Sequence, residues 1–254
     1  MCRLLGWAAR TPRTLADLLG EADLDEFTAL SRKHGDGWGV AWHAGPGLQL
    51  HKTPDAACYS RDYEHWVHDQ ATDLGLVHLR WATLGLPVET ANTHPFADLG
   101  VAFAHNGSVS PPSSLDELLS EKQQAAMQGT TDSERYFRAV LYAAEDGGLE
   151  TALARTVTTI AREKTFTSLN CLLATPDVLY AVCRFEPGHE GDEEEDYFHL
   201  RYRVTDDAVV VSSTGWGRDF GDVSPLKGVI FTESTRSRLE VAVDVERLAE
   251  GLPL

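Results

Sequence analysis

The chain has 254 residues, of which 43% are hydrophobic and 24% charged, as in an ordinary globular enzyme of one large or two small domains. Its 22 basic and 39 acidic side chains give a formal charge of −17, which sets aside nucleic acid and anionic membranes as partners because no basic stripe offsets the bias. No stretch approaches the roughly 20 apolar residues of a membrane span, and the first residues lack the apolar core of a secretory signal, so a cytoplasmic location is expected.

In chain order, residues 39–43, 77–81 and 101–105 read as short strands that end in polar residues. Thr131-Asp132-Ser133-Glu134 fits a capping box, and Tyr136, Phe137, Val140, Leu141 and Ala144 follow at helical spacing. Leu149, Leu153, Val157 and Ile160 form the apolar stripe of a second helix. Strand-like runs follow at 169–174, 178–185, 197–204, 208–213 and 228–231. Thr-Pro-Asp at 175–177 and Thr-Asp-Asp at 205–207 mark hairpin turns between them. Strands, then a helical pair, then strands again favour an α+β layered fold over alternating β-α-β units. With no repeat and no long linker, a single domain over residues 2–254 is expected. The acidic stretch 186–196 reads as a solvated loop, since like charges in a run repel and extend.

None of the four cysteines forms a C-x-x-C pair, so a zinc ribbon or thioredoxin-type site is unsupported. Cys171 and Cys183 sit in apolar runs and read as core residues. The ten histidines form no ligand set, and His65 and His68 lack a third partner. No metal or other cofactor is expected.

Cys2 follows the initiator methionine directly. Trimming of Met1 gives one residue that carries both a thiol nucleophile and an α-amine, whose unperturbed pKa of about 7.7–8.0 suits a base near neutral pH. The structural alternative is a small buried residue opening a strand. Acyl transfer also needs an oxyanion hole. Asn106 and Gly107 can supply a side-chain amide and a backbone N–H, although Asn-Gly is also a common turn. Arg80, at a strand end, suits an α-carboxylate. Asp132 can accept an α-ammonium or simply stabilise a helix N-terminus.

Together these residues resemble the class II (Cys-type) glutamine amidotransferases. Met-Cys-Arg-Leu-Leu-Gly looks like the family's N-terminus, and Arg80-Trp81-Ala82-Thr83 with Gly85 and Pro87 is similar to its glutamine-binding strand-loop. Asn92-Thr93-His94-Pro95-Phe96 resembles the loop that follows, and His105-Asn106-Gly107 the oxyanion turn. Thr131-Asp132-Ser133-Glu134 resembles the acidic substrate-binding turn, and His34-Gly-Asp-Gly-Trp-Gly39 a glycine-rich segment of the single-domain members. Leu84 departs from the hexosamine-synthesis branch, which has histidine there.

The resemblance implies the four-layer αββα sandwich of N-terminal-nucleophile hydrolases. It implies Cys2 as nucleophile, Asn106 and Gly107 as the oxyanion hole, and Arg80 and Asp132 as the grip on the amino-acid head group. Trp81 and Thr83 shape the same pocket, and His94 is either a substrate contact or a structural loop histidine. The implied function is hydrolysis of the glutamine side-chain amide through a Cys2 thioester, with an acceptor enzyme as an optional partner. Two alternatives stand beside it: a γ-glutamyl hydrolase acting on a specific metabolite, as in ergothioneine-type biosynthesis, and a non-catalytic glutamine-binding module.

Overall fold

Alternation of side chains along the first strand sets the layering. Leu5 and Trp7 point to one face of the sheet and Leu4 and Ala8 to the other, and all four are buried. The computed structural model describes residues 2–44, 47–83, 85–186, 197–213, 221–222, 228–235 and 238–244. Met1, Leu84 and the acidic residues 187–196 lie outside the described residues.

The chain begins with strand β1 (Arg3–Arg13), followed by helices α1 (Leu15–Leu19) and α2 (Glu21–Ala29). A hairpin of β2 (Trp38–Ala44) and β3 (Gly47–Thr53) leads through α3 (Arg61–Asp69) to β4 (Thr72–Leu79). Strands β5 (Phe96–Asp98) and β6 (Val101–Ser110) precede helices α4 (Glu121–Ala125), α5 (Asp132–Ala144) and α6 (Leu149–Glu163). The antiparallel run then comprises β7 (Thr165–Ala174), β8 (Leu179–Cys183), β9 (Arg201–Val204) and β10 (Ala208–Ser212). It closes with β11 (Gly221–Asp222), β12 (Gly228–Thr235) and β13 (Arg238–Asp244).

Among the described residues the strands form two sheets, ordered β11-β9-β10-β1-β4-β2-β3 and β13-β12-β8-β7-β6-β5. Three apolar clusters glue four layers together. Leu15, Phe27, Tyr63 and Val67 of the first helices pack on Leu5, Trp7, Trp38 and Val40 of the first sheet. Leu4, Ala8 and Leu76 meet Ala102, Ala104 and Leu172 between the sheets. Phe103, Leu169 and Leu173 on the far face of the second sheet pack under Tyr136, Phe137, Leu153 and Ile160 of α5 and α6. The order helix, sheet, sheet, helix is the expected αββα sandwich. The small residues between the sheets allow them to approach closely.

Several local expectations change. The hairpins around 175–177 and 205–207 form as expected, with Leu172 opposite Ala181 and Val210 opposite Arg203. The strand read at 77–81 stops at Leu79, so Arg80 and Trp81 lie just beyond it. Only Arg201–Val204 of the run 197–204 pairs as a strand. Thr131 does cap α5 by accepting the Glu134 N–H at 3.1 Å. The Glu134 carboxylate, however, accepts from the N–H groups of Gln128 and Gly129 at 2.8 and 2.7 Å. It therefore braces the loop before the helix instead of closing a reciprocal capping box.

Candidate active site

The site forms where the C-terminal end of β4, the start of β1 and the middle of β6 converge. Leu79 pairs with Arg3, so Cys2 and Arg80 leave neighbouring strands at the same edge. The half-buried Trp81 fixes the thiol. Its N–H donates to Cys2 Sγ at 3.4 Å, and the thiol lies 3.6 Å from the Trp81 carbonyl oxygen. Cys2 is nine-tenths buried. Burial pushes its pKa up, while the Trp81 N–H and the nearby Arg80 charge act in the opposite direction. Asp132 adds to the upward shift, which places its charge within range of the thiol. The Trp81 ring is held by Lys33, with Nζ 4.9 Å from the ring centre, and by the edge of His34 at 5.6 Å. Thr83 is exposed on the loop that follows.

Arg80 is 2% exposed. Its guanidinium donates to the carbonyl oxygens of Asp36 at 3.3 Å and Pro87 at 3.0 Å, and burial lowers its pKa. Two further residues hold this arrangement. The Asp36 carboxylate accepts the Ala82 N–H at 2.8 Å. Asn92 donates to the Pro87 carbonyl at 3.3 Å and accepts the Thr130 N–H at 2.9 Å, tying the Arg80 loop to the start of α5. Asp132, the first residue of that helix, is buried and accepts the Val109 N–H at 2.7 Å. Asp36 lies in the glycine-rich segment 34–39, but its contact with Ala82, 46 positions away, has no signal in the sequence. Gly39 explains part of that segment: a Cβ there would lie 2.2 Å from the His94 carbonyl oxygen.

Asn106 and Gly107 sit inside β6, not in a chain reversal. Asn106 pairs with Asn170, and the register slips between Gly107 and Val109. The Asn-Gly dipeptide thus makes a bulge. Only glycine fits at 107, because a Cβ would lie 1.9 Å from the Ser168 carbonyl oxygen. The Asn106 side chain is fully buried, and neither its Nδ2 nor its Oδ1 has a hydrogen-bond partner among the described residues.

Three buried histidines underlie this bulge. The His105 Nε2–H donates to the Ser168 carbonyl at 2.9 Å, so its Nδ1 accepts the Ser133 hydroxyl at 2.9 Å. His78 Nε2–H donates across the sheets to the His105 carbonyl at 3.2 Å. His94 stacks on His78 at 4.1 Å and meets the edge of Phe96, with neither ring nitrogen hydrogen-bonded among the described residues. Burial lowers all three pKa values, those of His78 and His94 well below the ordinary 6.5. The folded protein therefore holds neutral imidazoles that the unfolded chain would protonate. Stability is full above about pH 6.5 and is lost as pH falls through the ordinary histidine range. The melting temperature is expected to drop between about pH 7.5 and about pH 5.5. A flat profile, or a rise, would contradict a neutral cluster.

The family model described as "Glutamine amidotransferases class-II" matches residues 1–216. The Saccharomyces cerevisiae protein described as "Probable glutamine amidotransferase DUG3" is 29% identical over 157 residues, covering 54% of this chain and 44% of that protein. The gamma-glutamyl-hercynylcysteine sulfoxide hydrolase of Mycobacterium tuberculosis is 28% identical over 116 residues, 43% of this chain and 50% of that protein. The chain spans about half the length of the curated relatives it matches. Among solved structures, the glutamine aminotransferase class-II domain protein of Silicibacter pomeroyi superposes with a TM-score of 0.65 at 20% identity, over 95% of this chain and 99% of that one. The glutamine phosphoribosylpyrophosphate amidotransferase of B. subtilis gives 0.64 at 16% identity, over 95% and 49%. At such identities the likeness speaks for the fold alone, the four-layer αββα sandwich.

Proposed function

Because the chain belongs to the class-II glutamine amidotransferases, we propose that it is an amidohydrolase that cleaves the side-chain amide of glutamine, or a γ-glutamyl amide, through a thioester on Cys2. The observation that carries this reading is the orphaned, fully buried amide of Asn106. A buried amide without partners is costly unless a ligand completes it.

In this reading, removal of Met1 frees the Cys2 α-amine, which takes the thiol proton as sulfur attacks the amide carbon. Asn106 Nδ2 and the Gly107 N–H receive the developing negative oxygen. The C–N bond then breaks, the amine leaves with the proton, and water hydrolyses the thioester to glutamate. Arg80, desolvated and bonded only to carbonyl oxygens in the contacts described above, takes the α-carboxylate. Asp132 takes the α-ammonium. Trp81 and Thr83 border the pocket, and His94 supports it from beneath. No metal or cofactor enters these steps. Residues 2–254 act as one domain in the cytoplasm, where the four free thiols stay reduced.

The γ-glutamyl hydrolase reading keeps the same residues and changes the leaving amine. It is favoured by the similarity to the Mycobacterium tuberculosis hydrolase. Ammonia release from glutamine, measured beside glutamate release from a panel of γ-glutamyl amides, decides between the two. Tight glutamine binding with neither release would leave only a binding module.

The head-group assignment has its own expected result. Arg80→Lys keeps the charge but loses the planar fork, and Asp132→Asn removes the ammonium partner. Each is expected to raise KM by about tenfold or more, as for one lost charge-assisted hydrogen bond. Steady-state kinetics on folded variants check this. Unchanged kcat/KM in both would place the glutamyl head group elsewhere.

A further inference from the structure

Away from Cys2, helix α3 leaves a cavity of about 440 Å³ against the β2–β3 edge of the first sheet. That volume lies in the range of small-molecule sites, about 300–1,000 Å³. Tyr63 and Val67 anchor the helix in the core. The spacing of Asp62, Trp66 and Asp69 turns these three toward the sheet side of the cleft. From the sheet, Trp38 and Trp42 project from alternate positions of β2, and His51 lies opposite Val40 on β3.

The chemistry of this wall is one-sided. Three indoles line it, with Trp42 and Trp66 5.4 Å apart and tilted by 60°. Two carboxylates stand at its exposed rim beside His65 and Gln70, and among the described residues no lysine or arginine lines it. Indole faces attract cations, and the carboxylates add charge of the matching sign. Trp38 is 1% exposed, yet its Nε1 has no hydrogen-bond partner among the described residues. The same holds for the indole nitrogens of Trp42 and Trp66. These buried nitrogens are out of an occupant's reach, which leaves the part-exposed rings of Trp42 and Trp66 as the surface it meets.

We propose that this cavity binds a small organic cation, an alkylated ammonium. An apolar neutral molecule would leave the rim carboxylates unanswered. A second copy of the chain would have to insert a basic side chain between the indoles.

The test uses the full-length protein with choline as the probe, titrated at constant ionic strength and followed by calorimetry and tryptophan fluorescence. Saturable binding is expected. The neutral isostere 3,3-dimethylbutan-1-ol, with carbon in place of nitrogen, should bind at least about tenfold more weakly. The surface double variant Asp62→Asn/Asp69→Asn should raise the choline Kd by about fivefold or more with an unchanged circular dichroism spectrum. Trp42→Leu should remove one wall and weaken binding further. No saturation, equal affinity for the isostere, or a double variant that binds as well as wild type would each overturn the proposal. Sedimentation showing a dimer that dissociates in Asp62→Asn/Asp69→Asn, without choline binding, would assign the cleft to a second copy instead.

Discussion

Cys2→Ala is expected to abolish amide hydrolysis, lowering kcat by on the order of 10⁴-fold or more while the protein stays folded. The change removes a single sulfur at the first residue before β1, and the neighbouring contacts of Leu4 and Leu5 hold that strand independently. Cys171 and Cys183 provide the contrast. Both are fully buried, and burial pushes the Cys171 thiol up to about 12, so Cys171 supplies no thiolate near neutral pH. Cys58→Ala and Cys171→Ala are expected to retain turnover, the latter with some loss of stability. Intact mass of the active enzyme should also show loss of Met1, because only then is the α-amine adjacent to the thiol. A Cys2→Ala enzyme with wild-type turnover would require a different nucleophile.

Loss of Asn106 should fall on a different kinetic constant. Its amide is proposed to meet an oxygen that becomes negative only during attack, so Asn106→Ala should lower kcat far more than it raises KM. Removing one oxyanion-hole donor elsewhere costs on the order of 10² to 10³ in kcat, about 2.7–4 kcal/mol. A similar loss is expected here, with Gly107 still contributing its N–H. The variant should not lose much stability, because the wild-type side chain has no hydrogen bond to forfeit among the described residues. A purely structural Asn106 would show the reverse pattern: a lower melting temperature and normal turnover per folded molecule. Turnover within about threefold of wild type, far short of the quoted loss, would mean the oxyanion hole is wrongly placed.

Elements with one buried face and clear punctuation were legible in the sequence. The turns at 175–177 and 205–207 and the Thr131 cap gave two hairpins and α5 because their chemistry is local. Strand β1 is harder to read, since Leu4 through Ala9 are buried on both faces and show no alternation. The helical layer of α1 to α3 was missed because two of its members are short or weakly patterned. At the site, Cys2, Arg80, Asn106 and Asp132 stood out by residue type. The supports Asp36, Asn92, His78 and Ser133 did not, because their work is done through contacts across 20 or more positions of sequence. The Asn-Gly bulge is the same lesson in small: the dipeptide permits a turn, and the crowding by Ser168 selects a strand.

The place of β1 in the first sheet also bears on how the protein is made. This opening strand lies between β4 and β10, and Leu4 N–H donates to the Ser213 hydroxyl 209 positions away. On a ribosome, β1 emerges long before β10, so its second edge stays uncovered until residues 208–212 are made. Contacts of such separation are slow to form, because the intervening chain must be ordered before they contribute. The Cys2 thiol is thus made long before both neighbours of its strand are in place. A nascent chain halted before residue 208 would carry the proposed nucleophile beside a strand with one edge unpaired, which is exposed to aggregation.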